Sequence, residues 1–335
     1  MKSKLKTVVK HGLAFCAVKS GLISIDCRDR TAGRLIILMY HRVNSELDIL
    51  GLSVSQEFFD RQLDFTVSRF KIITLAEAVS MVSEGIPPGN YAVITFDDGY
   101  RDNYDCAFPI LKKYRAPATF FVTVDALETG RFGWFSFDSA IFQSVSEKLD
   151  LRLFDLPVFD IRTRSKKEKT IKVLHRDLKS GSHERRQAVI NHVTGSSAAL
   201  SSDERIMLNW EEIREMQESG LITVGSHTMT HPILTRMNPE AAYDEICRSK
   251  TIIEARLGTP IDLFAYPNGT INDFNDELAG MLKRSGYRAA CTTVHGIAVQ
   301  GMDPYMLPRI DVTYGMCQGI GGKFSPEMFE AALLS

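Results

Sequence analysis

The sequence predicts an α/β fold built on a parallel sheet or barrel. Three observations carry that prediction. Apolar, β-branched runs recur along the chain, helical patterns fall between them, and most of the runs are continuous rather than alternating. A strand covered on both faces reads as a continuous apolar run, as in parallel sheets, and strand–helix alternation produces such sheets.

The predicted strands are Arg34–His41 (RLIILMYH), Lys71–Leu75, Tyr91–Phe96 (YAVITF), Ala118–Val124, Leu221–Ser226 (LITVGS), Asp262–Pro267, Tyr287–Thr292 and Leu307–Val312. Ser55 opens a helix carrying Phe58, Phe59, Leu63 and Val67. Thr74-Leu-Ala-Glu77 is a capping box, in which hydroxyl and carboxylate each satisfy the other residue's backbone N–H. Asn238-Pro239 reads as an N-cap with a first-turn proline, and Gly258 ends that helix. About 95 residues, from roughly Asp125 to Ser219, interrupt the alternation, with helical patterns at 138–149, 165–179, 184–194 and 203–219. The central part, about 130–205, reads as a helical insertion over one end of the barrel. Its segment Arg162–Arg186 holds ten Lys/Arg against three Asp/Glu, which suits a lid, a basic surface for an anionic partner, or a solvated helical face.

Composition narrows the class. The 335 residues are 44% hydrophobic and 24% charged, with a net charge of −1. These values suit a globular chain and give no global field toward nucleic acid, so no nucleic-acid partner is expected. The six cysteines, at 16, 27, 106, 247, 291 and 317, form no CxxC pair and are too sparse for a disulfide scaffold, which suits a reducing compartment. Residues 1–33 form a basic helical segment; Met1–Arg34 has eight Lys/Arg against two Asp. Its apolar stretch, Gly12–Val18, is too short to span a bilayer and makes a poor secretory signal. Either it lies on an anionic membrane surface, as a peripheral contact, or it docks on the domain 34–335. The expected location is cytoplasmic, with or without membrane association.

Chemistry concentrates at strand ends. Asp97 and Asp98 close YAVITF, and Gly99 breaks the strand after them, so both carboxylates can reach one space at the edge where parallel α/β folds place active sites. One can bind a cation while its neighbour takes a proton; the plainer alternative is an Asp-Gly turn. His227 and His231 follow LITVGS at i and i+4, a spacing that lets two imidazoles grip one metal. Pro232 makes a compact turn as suitable as a helix there. Thr228 excludes the HExxH arrangement, which needs a Glu at that position. Asp98, His227 and His231 together make a three-ligand set with open positions, as in catalytic zinc sites.

TFDDG, then HTxxH, then Tyr-Pro-x-Gly, in that order, resemble the polysaccharide deacetylases with NodB homology, carbohydrate esterase family four. The resemblance runs from about Arg34 to Val312 apart from the insertion. It implies a distorted (β/α) barrel of about seven strands and metal-dependent hydrolysis of N- or O-acetyl groups on sugars. It assigns Asp97 as base, Asp98, His227 and His231 as metal ligands, and the backbone N–H of Asn268 as an oxyanion donor. Zn²⁺ is the first expectation for the metal, with Co²⁺ or Ni²⁺ as substitutes.

Two departures stand out. Ala265 occupies the position where many members carry an Arg that orients the base; Arg309, ending another strand, is a candidate replacement or else a structural ion pair. The C-terminal Leu-x-His that supplies the general acid is absent. Leu38-Met39-Tyr40-His41 resembles the branch in which that motif is permuted to the N-terminus, making His41 the expected general acid. The remaining histidines, 11, 175, 183, 192 and 295, are not expected to act in catalysis, though His295, read as lying in a loop after the strand 287–292, is a candidate for a substrate contact. Trp134 and Phe135 either stack on a sugar or anchor the insertion. The expected substrate is an N-acetylated glycan or a lipid-linked amino sugar, and the basic segments suit an anionic lipid carrier. The competing readings are a glycan-binding pseudoenzyme, suggested by Ala265, and a hydrolase of another amide or ester, such as a formyl or O-acetyl group.

Overall fold

The computed structural model describes residues 33–44, 51–195 and 205–334. The predicted basic segment 1–33, with His11, Cys16 and Cys27, falls outside them except for Gly33. Seven parallel strands close into a barrel: β1 (Arg34–Tyr40), β2 (Asn90–Phe96), β3 (Ala118–Val122), β4 (Ile222–Ser226), β5 (Leu263–Ala265), β6 (Ala289–His295) and β7 (Leu307–Asp311). Neighbours pair in chain order, and β1 closes the ring by pairing with β2 on one side and β7 on the other. Leu38 lies opposite Ile94 of β2 and Ile310 of β7.

Every residue of β1 is buried, which explains its unbroken apolar run. Alternate residues face opposite ways. Leu35, Ile37, Val93, Phe121, Ala265, Cys291 and Leu307 form the inner cluster, while Ile36, Leu38, Ile94, Phe96, Phe120 and Val122 pack outward among the helices. The helix Leu75–Glu84 adds Leu75, Ala78, Val79 and Val82 to the inner cluster and closes that side of the barrel. The predicted Thr74–Glu77 capping box starts it: Glu77 N–H donates to Thr74 Oγ1 at 3.2 Å and Thr74 N–H to Glu77 Oε2 at 2.8 Å. Gly225 of β4 is dictated by packing, since a Cβ there would lie 2.6 Å from the Phe121 ring.

Several predicted boundaries differ; the helix expected at 203–219, for example, spans only Trp210–Glu218. The run Lys71–Leu75 is not a barrel stave; only Lys71 and Ile72 pair, with Tyr91 and Ala92, because Thr74 must leave the strand to cap the next helix. The helix expected at 138–149 is Gly133–Gln143, followed by an unexpected antiparallel hairpin, Lys148–Asp150 with Val158–Asp160. Helices Arg164–Ser180 and His183–Gly195 complete the insertion around Phe137, Ile141, Ile171, Leu174, Leu178 and Val189. The chain returns beside its point of departure, where Ile206 N–H donates to Gly130 O at 3.2 Å, and against the loop after β2, where Leu208 N–H donates to Gly99 O at 2.9 Å and Arg101 N–H to Ile206 O at 2.9 Å. None of the described helices is long and apolar enough to cross a membrane.

Candidate active site

The predicted site residues converge at the C-terminal ends of the strands. A cavity of about 620 Å³ opens there and is lined by His41, Asp97, Asp98, His227, His231, Asn268 and Asp311. Its outer wall comes from the insertion, through Phe132, Trp134, Phe135, Asp138, His175, Lys179 and Arg186. Among the described residues six non-glycine positions have positive φ, and four belong to this site: Asp98 (73°), Thr228 (70°), His231 (59°) and Asn268 (62°). Left-handed backbone at such residues persists where the surroundings enforce it, and it gathers at functional sites.

Asp98, His227 and His231 meet as the sequence suggested. The Nε2 atoms of His227 and His231 lie 3.5 and 3.2 Å from Asp98 Oδ1. Those separations match the edges of a tetrahedron with bonds of ~2.1 Å, about 3.4 Å, the size of a zinc site. Asp98 Oδ1 is buried and receives no well-directed hydrogen bond, which leaves its lone pairs available to a cation. His227 Nδ1 is 2.8 Å from the carbonyl of Ala265; as the donor there, it leaves Nε2 bare for a metal. The residues present therefore fit a divalent cation. Burial opposes ionisation of Asp98, but the two histidines beside it hold its carboxyl well below the usual range. Burial pushes His231 down to about 4, which keeps that imidazole neutral and able to ligate.

The histidine segment is a turn, not a helix. His231 N–H donates to Thr228 Oγ1 at 3.0 Å, and Thr228 N–H to Ser226 Oγ at 3.2 Å. Glu245, on the helix Pro239–Leu257, clamps the turn from behind, accepting from the N–H groups of Met229 (2.9 Å) and Thr230 (3.0 Å) and from Thr230 Oγ1 (2.7 Å). Sequence reasoning missed Glu245; no local pattern separates it from the exposed charges of the same helix.

Asp97 faces Arg309. The guanidinium donates to Asp97 Oδ1 from Nη1 at 2.7 Å and to Oδ2 from Nη2 at 2.6 Å, and also holds Thr95 Oγ1 and Thr292 O. Burial alone would raise the Asp97 carboxyl; the Arg309 charge, with lesser help from His227 and His41, keeps it below its ordinary value. Ala265 lies in the inner barrel cluster, so the guanidinium reaches the aspartate from β7 instead.

Asn268 is set by its turn. Its side-chain amide donates to Asp273 at 2.6 Å and its carbonyl accepts from Thr293 Oγ1 at 2.7 Å. Its backbone N–H appears in no hydrogen bond among the described residues. His41, half-buried at the end of β1, lines the cavity with its carbonyl held by Asn103 Nδ2 at 2.9 Å. His295 is an exposed terminal residue of β6, not a loop residue, and does not line the cavity. His175, although in the insertion, does line it, buried against Asp138 at 2.7 Å. Trp134 and Phe135 both face the cavity; Trp134 also packs on His175 of the insertion, whereas Phe135 packs on Arg42.

Residues 84–290 match the family model described as polysaccharide deacetylase. YxkH of Bacillus subtilis (strain 168), assigned by name to polysaccharide deacetylases, is 25% identical over 297 residues, covering 88% of this chain and 77% of that protein. The poly-beta-1,6-N-acetyl-D-glucosamine N-deacetylase of Staphylococcus aureus (strain MSSA476) is 32% identical over 154 residues, 40% of this chain and about half (51%) of that enzyme. The fold is shared with IcaB from Ammonifex degensii (TM-score 0.60, 21% identity, 91% of this chain and 100% of that one). It is also shared with the Streptococcus pyogenes deacetylase PplD (TM-score 0.59, 22% identity, 90% and 98%).

Proposed function

Because the chain belongs to the polysaccharide deacetylase family, we propose that it is a metal-dependent hydrolase that removes N-acetyl groups from a glycan or a lipid-linked amino sugar. The observation carrying this reading is the meeting of Asp98, His227 and His231 beside an Asp97 already paired to Arg309, at one end of one cavity. The acetylated poly-N-acetylglucosamine named for the Staphylococcus aureus relative marks the substrate class by analogy.

Asp98, His227 and His231 would hold the cation, Zn²⁺ first, with Co²⁺ or Ni²⁺ as substitutes. Bound there, a divalent ion supplies Lewis acidity and makes water more acidic at neutral pH. Asp97 accepts the proton of the attacking water as the water oxygen bonds to the acetyl carbon. Each Asp97 oxygen already accepts from Arg309 and keeps a second lone pair for that proton. Arg309 keeps the base ionised at the start of each cycle and fixes its plane. The Asn268 N–H donates to the oxyanion of the tetrahedral intermediate. His41, protonated, gives its proton to the sugar nitrogen as the C–N bond breaks. Acetate and a free amino sugar leave.

The pseudoenzyme alternative loses its motive, because the base does not lack a guanidinium. Zinc-loaded protein incubated with N-acetylated, N-formylated and O-acetylated glycans, with a chelator control, tests the proposal. Acetate released from the N-acetyl substrates and abolished by the chelator supports it. No acyl release from any of them, with stoichiometric zinc bound, overturns it.

A further inference from the structure

One wall of the cavity has no part in that mechanism. Away from the strand ends, beneath the insertion, it is lined by Arg164, Lys179 and Arg186, with His175 and Asp138 between. Arg186, in the first turn of the helix His183–Gly195, is only 5% exposed. A buried guanidinium ordinarily meets a carboxylate, because desolvating it unpaired is costly. Here Nη2 lies 2.9 Å from His183 Nδ1 and the Trp134 ring centroid is 5.7 Å from the guanidinium carbon. Burial, with the Arg186 charge, holds His183 below its ordinary value, so it is a neutral acceptor and leaves the charge uncompensated. Glu245 and Glu184 act on Arg186 only from beyond ion-pair distance, and burial lowers it to about 10.

Lys179, on the preceding helix Arg164–Ser180, is an exposed residue that also lines the cavity, a second cation with no ion pair among the described residues; Asp273, Asp98 and Asp138 act on it at longer range. Arg164 differs, being engaged by Glu168 at 3.1 Å and by the Phe142 ring. Asp138 is held by His175 at 2.7 Å. The two cations are also within electrostatic reach of the metal ligands, Arg186 of His231 and Lys179 of Asp98.

We propose that Arg186 and Lys179 form a subsite for an oxyanion, a phosphate or a carboxylate, carried by the acetylated sugar or by the group attached to it. This rests on the deacetylase reading and narrows its substrate to anionic amino sugars. The guanidinium fork receives the oxyanion by charge-assisted hydrogen bonds, and Lys179 adds a point charge. The insertion thereby sets which sugars are admitted, while the strand ends carry the chemistry.

Calorimetric titration of the zinc-loaded full chain tests the subsite with three probes: N-acetylglucosamine 1-phosphate, N-acetylmuramic acid and neutral N-acetylglucosamine. The first two separate a phosphate from a carboxylate source. At least one anionic sugar is expected to bind about tenfold or more tighter than the neutral one, the span of one charge-assisted contact. Arg186→Gln and Lys179→Gln should each remove most of that preference. Lys172→Gln, on the insertion's outer face, should not alter it and controls for net charge. If Arg186→Gln fails to fold, Lys179→Gln alone decides. Any affinity of zinc itself for the anion is the same in every variant. Equal binding of neutral and anionic sugars, or a preference that survives in the folded variants, overturns the subsite. Acetate measured in the same samples separates the two readings. Release from the neutral sugar without anion preference removes the subsite alone, whereas anion-selective binding with no acetate from any sugar removes the deacetylase reading alone.

Discussion

Arg309 and Asp97 meet in a two-pronged ion pair, at 2.7 and 2.6 Å, in which the Arg309 side chain is 0% and the Asp97 side chain 2% exposed. Removing one member of a buried pair strands the other. Arg309→Met should therefore lower stability by about 3–5 kcal/mol and acetate release by about 100-fold or more, read by urea unfolding and by initial rates. Arg309→Lys should recover stability better than rate, since an ammonium cannot span both carboxylate oxygens.

Asp97→Asn keeps the shape of the site and removes the proton acceptor. Turnover should fall by about 10²–10⁴ while zinc stoichiometry, measured by plasma mass spectrometry, stays at that of the parent. Full turnover in this variant would refute the base assignment.

His227→Ala and chelation should have the same consequence by different routes. Both should abolish acetate release, and zinc, cobalt or nickel should restore it only to the chelated parent. The melting temperature of the parent should rise with added metal, because a ligand bound only by the folded state stabilises it, by about 2.7 kcal/mol at a concentration 100-fold above Kd.

Glu245→Ala strips the acceptor from two backbone N–H groups of the histidine turn. Loss of the clamp should weaken zinc binding by about 10–100-fold, the range for groups that orient metal ligands, with kcat at saturating zinc less affected than zinc affinity. Competition with a chromophoric chelator measures it.

Glu77 gives a pH signature far from the site. Hydrogen bonds from the Thr74 backbone and hydroxyl lower its carboxyl below the ordinary 4.5. A carboxyl lower in the folded than in the unfolded state contributes stability above the unfolded value and loses it as pH falls through the folded one. Thr74→Ala should cost about 1 kcal/mol at pH 7, and the difference from the parent should shrink below pH 4.5, as measured by urea unfolding across that range.

The barrel was legible because burial on both faces writes itself into the chain as unbroken apolar runs, and the candidate site because two histidines and two aspartates sit at or just after the ends of such runs. Arg309 was visible as a residue at a strand end, but its partner was not, since pairing across the barrel joins positions 212 residues apart. Glu245 was illegible for the same reason: a helical carboxylate looks like surface until the turn it clamps is folded against it. The hairpin at 148–160 escaped because its strands are three residues each, too short to show a period. The left-handed turn at His231 was half-visible, through Pro232.

The closure of β1 between β2 and β7 has a bearing on synthesis. His41 is made early and Arg309 late, and the ring that unites them is incomplete until β7 docks. A nascent chain emerging from the ribosome thus carries nearly all of its chemistry in an inert form, and activity should arrive abruptly once the final stave is released. Contacts of such wide sequence separation also make slow folding the expectation, and until β7 docks, β1 and β6 each present an unpaired edge.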